Sequence, residues 1–300
     1  MPEWTLGYPV YSLDRELLLP AGTKLSEERL HALVSSGRAA EQQKTPFLQF
    51  GTIEEDIRHF VGEPPCNAIF SNENDLTEVI ELMGRIRFAR PILDSVEYFK
   101  KSDPYTYRHI LMVFALSTLL SKNLVPDYRL RIREAETGPL HDFGKICVPI
   151  DILRKTTPLT RDERKNLEHH TMAGYVLLCY YSQEIGNLAA RVARNHHEKR
   201  NGLGYPRGIR LDDRMVEIVA VCDIYDALTS RRPYRPVSFD NRSALEEITI
   251  MAEKNEVSWE VVQALVAHNR KGKPHFTECS VSLEKRGVTP PNNLYGVLAT

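Results

Sequence analysis

Six of the ten histidines fall between His109 and His197: His109, His141, the pair His169-His170 and the pair His196-His197. Asp142 follows His141 directly, and Asp223 and Asp226 stand three residues apart in an otherwise apolar stretch, Val221 to Leu228. Imidazole nitrogen combined with carboxylate oxygen suits iron, manganese, cobalt, nickel or zinc better than magnesium or calcium. A metal centre is therefore the chemistry these residue types suggest. A lone histidine on a helix is more often a structural or solvated group, but several ligand types on successive segments are harder to assign that way.

The densest piece is His141-Asp142-Phe143-Gly144-Lys145. On a helix, neighbours diverge by about 100°, so one histidine and one aspartate can both reach a cation lying between helices. A carboxylate has two oxygens and can bridge two cations. Lys145 lies one turn beyond His141, where it can meet a phosphate oxygen, and Gly144 removes a side chain where a ligand could approach. Pro139 should start or kink this helix. Gly174 shares a helix face with His170, which favours His170 as the ligand and leaves His169 as a surface or supporting group.

His196-His197-Glu198 leads into Asn201-Gly202-Leu203-Gly204-Tyr205-Pro206, whose glycines and proline demand a shaped loop. Buried carboxylates need a cation or hydrogen-bond donors. A metal would satisfy Asp223, and Asp226 would orient a ligating histidine from behind; the alternative is an internal salt bridge to Arg231 or Arg232. The run Arg231-Arg232-Pro233-Tyr234-Arg235 is either a phosphate clamp of guanidinium forks or a solvated loop.

The elements that must position these groups are mostly helical. Leu76, Val79, Ile80, Met83, Ile86 and Phe88 follow a 3.6-residue period, and Ile110, Val113, Phe114 and Leu120 mark one face of a helix after Pro104. Ser117 interrupts that face without breaking the helix. Thr160-Arg161-Asp162-Glu163 forms a capping box opening a helix towards Leu178. Two more helices are expected over Val216 to Leu228 and Ala244 to Ala252, followed by a tail from Lys271 that is mostly loop. Ahead of them, Tyr8–Leu13 and Glu16–Leu19 predict two short strands joined at Asp14-Arg15. Pro20-Ala21-Gly22 predicts a turn, Ser26 a helix cap with Gly37 as the stop, and Phe47 to Ile53 a further strand. The expected division is a small α+β module with linker over residues 1–74 and a helical domain over 75–300.

The formal net charge of −1 supplies no field for a polymeric nucleic acid, though a local Arg/Lys cluster can still hold one anionic ligand. No run of about eighteen apolar residues predicts a membrane span, and the opening MPEWTLGYPVYSL lacks a secretory core. Cys66, Cys147, Cys179, Cys222 and Cys279 are odd in number and never spaced as C-x-x-C, which suits small buried thiols in a reducing cytoplasm.

In order, HDFGK, LTRDERKNLEHHTMAG, NHHEKRNGLGYPRG and VCDIYDALTSRRPYR resemble the HD-GYP family, a branch of the HD metal-dependent phosphohydrolases, over roughly Asp75 to Leu265. The resemblance implies a mainly α fold, a helical-bundle HD-type metallohydrolase domain with the metals at its centre. It implies hydrolysis of cyclic di-GMP to the linear dinucleotide pGpG, and in some members to GMP, by metal-activated hydroxide attack on the phosphodiester. It also implies two divalent ions, iron or manganese. His109, His141, Asp142 and Asp223 match the ligands of the first ion, and His170, His196 and His197 those of the second, with Asp142 bridging. Lys145 matches a lysine near the scissile phosphate, so Asp142 and Lys145 are the expected catalytic pair. Arg232 and Arg235 match positions that hold substrate phosphates, and Gly204-Tyr205-Pro206 shapes the substrate side. Members with a third ion carry Glu four residues before the first histidine; Tyr105 stands there, which implies two ions. Asn201 stands where many members have Asp. A catalytically silent cyclic di-GMP sensor and a hydrolase of another cyclic dinucleotide are the alternatives. A signalling protein is a candidate partner of the N-terminal module.

Overall fold

A computed structural model describes residues 4–36, 44–232, 235, 237–291 and 297–299. Gly37, Pro233 and Tyr234 lie outside the described residues. The chain opens with strands β1 (Trp4–Thr5), β2 (Val10–Tyr11), β3 (Leu17–Leu19) and β4 (Lys24–Leu25), then helix α1 (Glu27–Ser36). β2 pairs with β3 and β1 with β4, both antiparallel. Arg15 takes the left-handed conformation (φ 63°) in the hairpin turn, and the Ser26 hydroxyl accepts the Arg29 amide at 3.2 Å to cap α1. The expected strand over Phe47 to Ile53 is displaced. β5 (Thr45–Pro46) pairs with β6 (Arg87–Phe88), while Phe47 is fully buried and Ile53 opens α2 (Ile53–Val61). α3 (Cys66–Ile69) and α4 (Glu73–Met83) follow.

The helical body is built from α5 (Arg90–Ser102), α6 (Pro104–Leu124), α7 (Tyr128–Thr137), α8 (Ile150–Leu153), α9 (Arg161–Glu168), α10 (His170–Ser182), α11 (Leu188–Asn195), α12 (Arg214–Thr229), α13 (Asn241–Glu253) and α14 (Trp259–Asn269). α6 is the central column. It begins with Pro104 at the position where a missing N–H costs nothing, and Asp103 accepts the Thr106 hydroxyl at 2.6 Å. It is not amphipathic, as the sequence suggested, but is buried all round from Ile110 to Ser121, because α2, α4, α5, α7, α12 and α14 all pack against it. Ser117 has a structural reason: a Cβ on Gly138 would lie 2.7 Å from its Oγ and 2.9 Å from the Phe114 Cα. Two small residues thus bring the segment carrying His141 against the column.

Three local expectations change. The capping box is present, with Thr160 Oγ1 accepting the Glu163 amide at 3.2 Å and Glu163 accepting the Thr160 amide at 2.7 Å. Its helix ends at Glu168, however; His169 forms a joint and α10 begins at His170. His141 and Asp142 lie not on an α-helix but between two 3-10 turns, Gly138–Leu140 and Phe143–Cys147, consistent with Pro139 near the start of the first. α14 is an element the sequence reading did not name. Among the described residues no helix is long and apolar enough to cross a membrane.

Away from the centre, His268 on α14 is largely buried beside Asn123, 2.8 Å from its Nε2. Burial holds it down to about 4, against an ordinary 6.5, and Asp75 only partly offsets this. The folded chain therefore binds fewer protons than the unfolded chain between those values. Stability should fall as pH drops from 6.5 to 4 and level off below. The His268 share is at most about 3 kcal/mol. Urea denaturation of metal-free protein across this range should show a shallower acid loss for His268→Gln than for wild type; equal slopes would refute the assignment.

Candidate metal centre and active site

His109 comes from the second turn of α6, His141 and Asp142 from the 3-10 corner, His170 from the first residue of α10, His196 and His197 from just past the end of α11, and Asp223 from α12. All but His197 are buried. The ligand atoms form three mutually close groups: His109, His141 and Asp223; His170, His196 and His197; and His141, Asp142 and His196. Within each group these atoms lie within 4.8 Å of one another.

One face of each buried imidazole is committed. Nδ1 of His109 lies 2.7 Å from Asp226 Oδ2, Nδ1 of His141 lies 2.6 Å from the Gly138 carbonyl, Nδ1 of His170 lies 2.6 Å from the Leu167 carbonyl, and Nδ1 of His196 lies 3.0 Å from the Ala193 carbonyl. Carbonyls and carboxylates accept, so Nδ1 carries the proton and Nε2 presents a lone pair inward. Those lone pairs face each other: Nε2 of His109 and His141 are 3.3 Å apart, and Nε2 of His170 and His196 are 3.4 Å apart. Two lone pairs at hydrogen-bond distance with no proton between them repel. A divalent cation in each group removes that repulsion, so the donor set fits metal.

Asp142 lies between the two imidazole groups. Its Oδ2 is 3.4 Å from His141 Nε2 and 3.6 Å from His109 Nε2; its Oδ1 is 3.4 Å from His170 Nε2 and 3.9 Å from His196 Nε2. Lys145 donates to Oδ2 at 2.6 Å. Burial alone would raise the Asp142 carboxyl, but the Lys145 ammonium leads the neighbours that outweigh it and hold the group well below the usual carboxylate range. Asp223, 2.9 Å from His109 Nε2, is likewise held low against its burial. Burial pushes His170 down to about 3 and His196 well below its ordinary value, whereas Asp142, with Asp223 behind it, outweighs burial and raises His141. Neutral imidazoles and ionised carboxylates are the forms that bind metal.

Gly204-Tyr205-Pro206 sits directly on this centre. The Tyr205 ring stacks on His197 at 4.6 Å between centroids and 23° between planes, and its amide donates to the His197 carbonyl at 3.2 Å. A Cβ on Gly204 would lie 2.4 Å from that carbonyl oxygen, so glycine is required for the close approach. Sequence reasoning gave no role to Glu198. It is buried and accepts the Arg207 amide at 2.7 Å and the Ile209 amide at 3.1 Å, closing the loop on itself. Its place between the histidine pair and the glycines was the only signal.

One expectation is corrected, and two arginines take contacts the sequence did not announce. Gly144 makes no room for a ligand: a Cβ there would be 1.9 Å from the His170 carbonyl and 2.3 Å from the Gly174 amide, so it lets the 3-10 corner touch α10. Arg235 is 2% exposed and donates to the carbonyls of Ala227, Leu228 and Ser230, closing the end of α12. Arg232, also buried, points its guanidinium to Asp226 at 3.6 Å. Arg108, another residue the sequence reading passed over, donates to Asp226 Oδ1 at 2.9 Å and to the Ser230 hydroxyl. Asp226 thus both orients His109 and pairs with arginine, joining two expectations that were alternatives. His169 is a supporting group, packed against the Tyr8 ring. Asp226→Asn should weaken metal binding about 10- to 100-fold while leaving the fold intact. Metal titration followed by content analysis checks this, and unchanged affinity would show that the His109 contact does not matter.

The model of the HD domain family matches residues 92–257. The chain is 35% identical to a cyclic di-GMP phosphodiesterase of Pseudomonas aeruginosa over 240 residues, 79% of this chain and 53% of that protein. It is 33% identical to a cyclic di-GMP phosphodiesterase of Thermotoga maritima, covering 63% of this chain and 47% of that one. It is also 37% identical to a 3'3'-cGAMP-specific phosphodiesterase of Vibrio cholerae, over 44% of this chain and 29% of that one. The chain spans about half the length of the first two relatives.

Proposed function

This chain belongs to the HD domain family and carries the ordered HD-GYP motifs, and from that premise we propose that it is a divalent-metal-dependent phosphodiesterase hydrolysing cyclic di-GMP to linear pGpG, with GMP as the alternative end product. The observation that carries this reading is Asp142, buried with one oxygen towards His109 and His141 and the other towards His170 and His196. In this reading one ion is held by His109, His141 and Asp223, a second by His170, His196 and His197, and Asp142 is shared. Bound there, two divalent ions, iron or manganese, supply an acidified water and charge to offset the phosphodiester oxygens.

The protein's own contributions follow from its contacts. The carbonyls behind His141, His170 and His196 fix the tautomer that presents Nε2, and Asp226 does the same for His109. The Lys145 ammonium spends one hydrogen on Asp142, leaving two donors for a non-bridging phosphoryl oxygen. Tyr205, stacked on His197, forms a wall of the substrate side, where it orients the dinucleotide. A pure sensor would have no need of a shared carboxylate between two imidazole groups. The relatives named for 3'3'-cGAMP make that dinucleotide the second substrate to test. The division at residues 74 and 75, a cytoplasmic location suited to five free thiols, and a signalling protein acting through the N-terminal module belong to the same proposal.

The test is chromatographic analysis of cyclic di-GMP, and in parallel 3'3'-cGAMP, incubated with manganese- or iron-loaded protein. Linear dinucleotide or GMP supports the reading and identifies the substrate. Tight binding without product would replace it with the sensor.

A further inference from the structure

Residues 4–13 touch α10, the joint before it, the 3-10 turn after Asp142 and the loop that follows His197. Arg207, directly after Pro206, lies with its guanidinium 5.5 Å from the centre of the Trp4 ring. The Tyr8 ring packs on His169 at 5.6 Å, and its hydroxyl donates to the Asp162 carbonyl in the first turn of α9 at 2.9 Å. The Tyr11 carbonyl accepts from the Cys147 thiol at 3.7 Å, at the end of the 3-10 turn that holds Lys145. The Leu13 amide donates to the Tyr181 hydroxyl on α10 at 2.8 Å.

Two of these contacts act beside the Gly204-Tyr205-Pro206 loop and the joint before His170. Arg207 makes no close salt bridge with a carboxylate among the described residues; Glu198 attracts its guanidinium at longer range and Arg194 repels it. Its backbone is tied to Glu198, but its guanidinium rests on the π-face of Trp4. His169 is the joint between α9 and α10, one residue before the ligand His170, and Tyr8 covers it. Neither Trp4 nor Tyr8 reaches a ligand itself; each holds the residue next to the element that does.

We infer that Trp4 and Tyr8 are positioning residues, and that the N-terminal strands brace the Gly204-Tyr205-Pro206 loop and the His169 joint against the metal centre. This rests on the phosphodiesterase reading for its kinetic consequence but not for its structural one. A displacement of these strands would loosen the substrate wall before it disturbed the chemistry, so it would appear in KM ahead of kcat.

The test is a double-mutant cycle in the full chain between Trp4→Ala and Arg207→Ala, read by steady-state kinetics on cyclic di-GMP and by amide hydrogen exchange. Each single variant should raise KM roughly three- to tenfold with kcat nearly unchanged, and the double variant should be no worse than either. Trp4→Phe should restore KM. Exchange should quicken at residues 199–211 in Trp4→Ala and at 167–171 in Tyr8→Ala, while Tyr8→Phe, which keeps the ring, stays near wild type. Additive effects in the cycle, or unchanged exchange in Trp4→Ala, would overturn the brace. Absence of turnover in the wild type would overturn the enzyme reading instead, and the exchange measurements would still decide the brace.

Discussion

Asp142→Ala should abolish turnover, lowering kcat by about a thousandfold or more, and should strip metal from the protein. The size of the effect follows from position. One carboxylate faces four imidazoles from two separate groups, so its loss removes a ligand from both at once. It also leaves the Nε2 lone pairs of each facing pair with less compensating charge in a buried site. Lys145 loses its partner, but it is 17% exposed and can turn to water, so the fold should survive. Asp142→Asn keeps the shape without the charge and should fail nearly as badly. Lys145→Ala should instead lower kcat with metal content retained, since its nitrogen contacts the carboxylate rather than the imidazoles. Metal analysis beside single-turnover kinetics separates these cases. Full activity in Asp142→Ala after confirmed metal loss would end the metal-dependent mechanism.

Gly144→Ala should be the most damaging single-methyl change in the chain. Its Cβ would enter the backbone of α10, 1.9 Å from the His170 carbonyl, and backbone cannot rotate away as a side chain can. Overpacking of this kind costs about 3 kcal/mol, or roughly 6 °C or more in Tm for a chain of this size. Relief requires the 3-10 corner to move off α10, which also draws Asp142 away from His170. Activity should therefore fall further than the stability loss alone explains. Gly174→Ala is the control: its Cβ would meet the Ala193 Cβ and the Gly144 amide at 3.2 Å, contacts that small shifts relieve. Thermal melts of both variants decide the matter, and an unchanged Tm in Gly144→Ala would mean that the corner and α10 are not in contact.

The candidate ligand residues were legible in the sequence because metal chemistry restricts residue type. Few other pressures gather imidazoles and carboxylates on consecutive helical segments, and seven such groups, His109 to Asp223, converge here. Local signals read equally well where the physics is local. The capping box at Thr160, the cap at Ser26 and the hairpin turn at Arg15 each depend on a few neighbouring residues. The expected strand at Phe47 and the single amphipathic face of α6 failed for the opposite reason. Phe47 is buried by tertiary packing, and the surroundings of α6 are set by six helices, four of them distant in sequence.

Spacing along the chain fixes the direction of a side chain within its own element; only packing between elements fixes distance, burial and partner. The sequence by itself determined which residues offer nitrogen and oxygen to a metal and that a glycine-rich loop follows the last histidines. The tertiary structure decided the rest. It turned Nε2 rather than Nδ1 inward, put Asp142 between two groups, gave Gly144 to helix packing and buried Arg235 among carbonyls. It also brought Trp4 to Arg207 across some two hundred residues of chain, a contact no local pattern announces because its geometry belongs to neither segment alone.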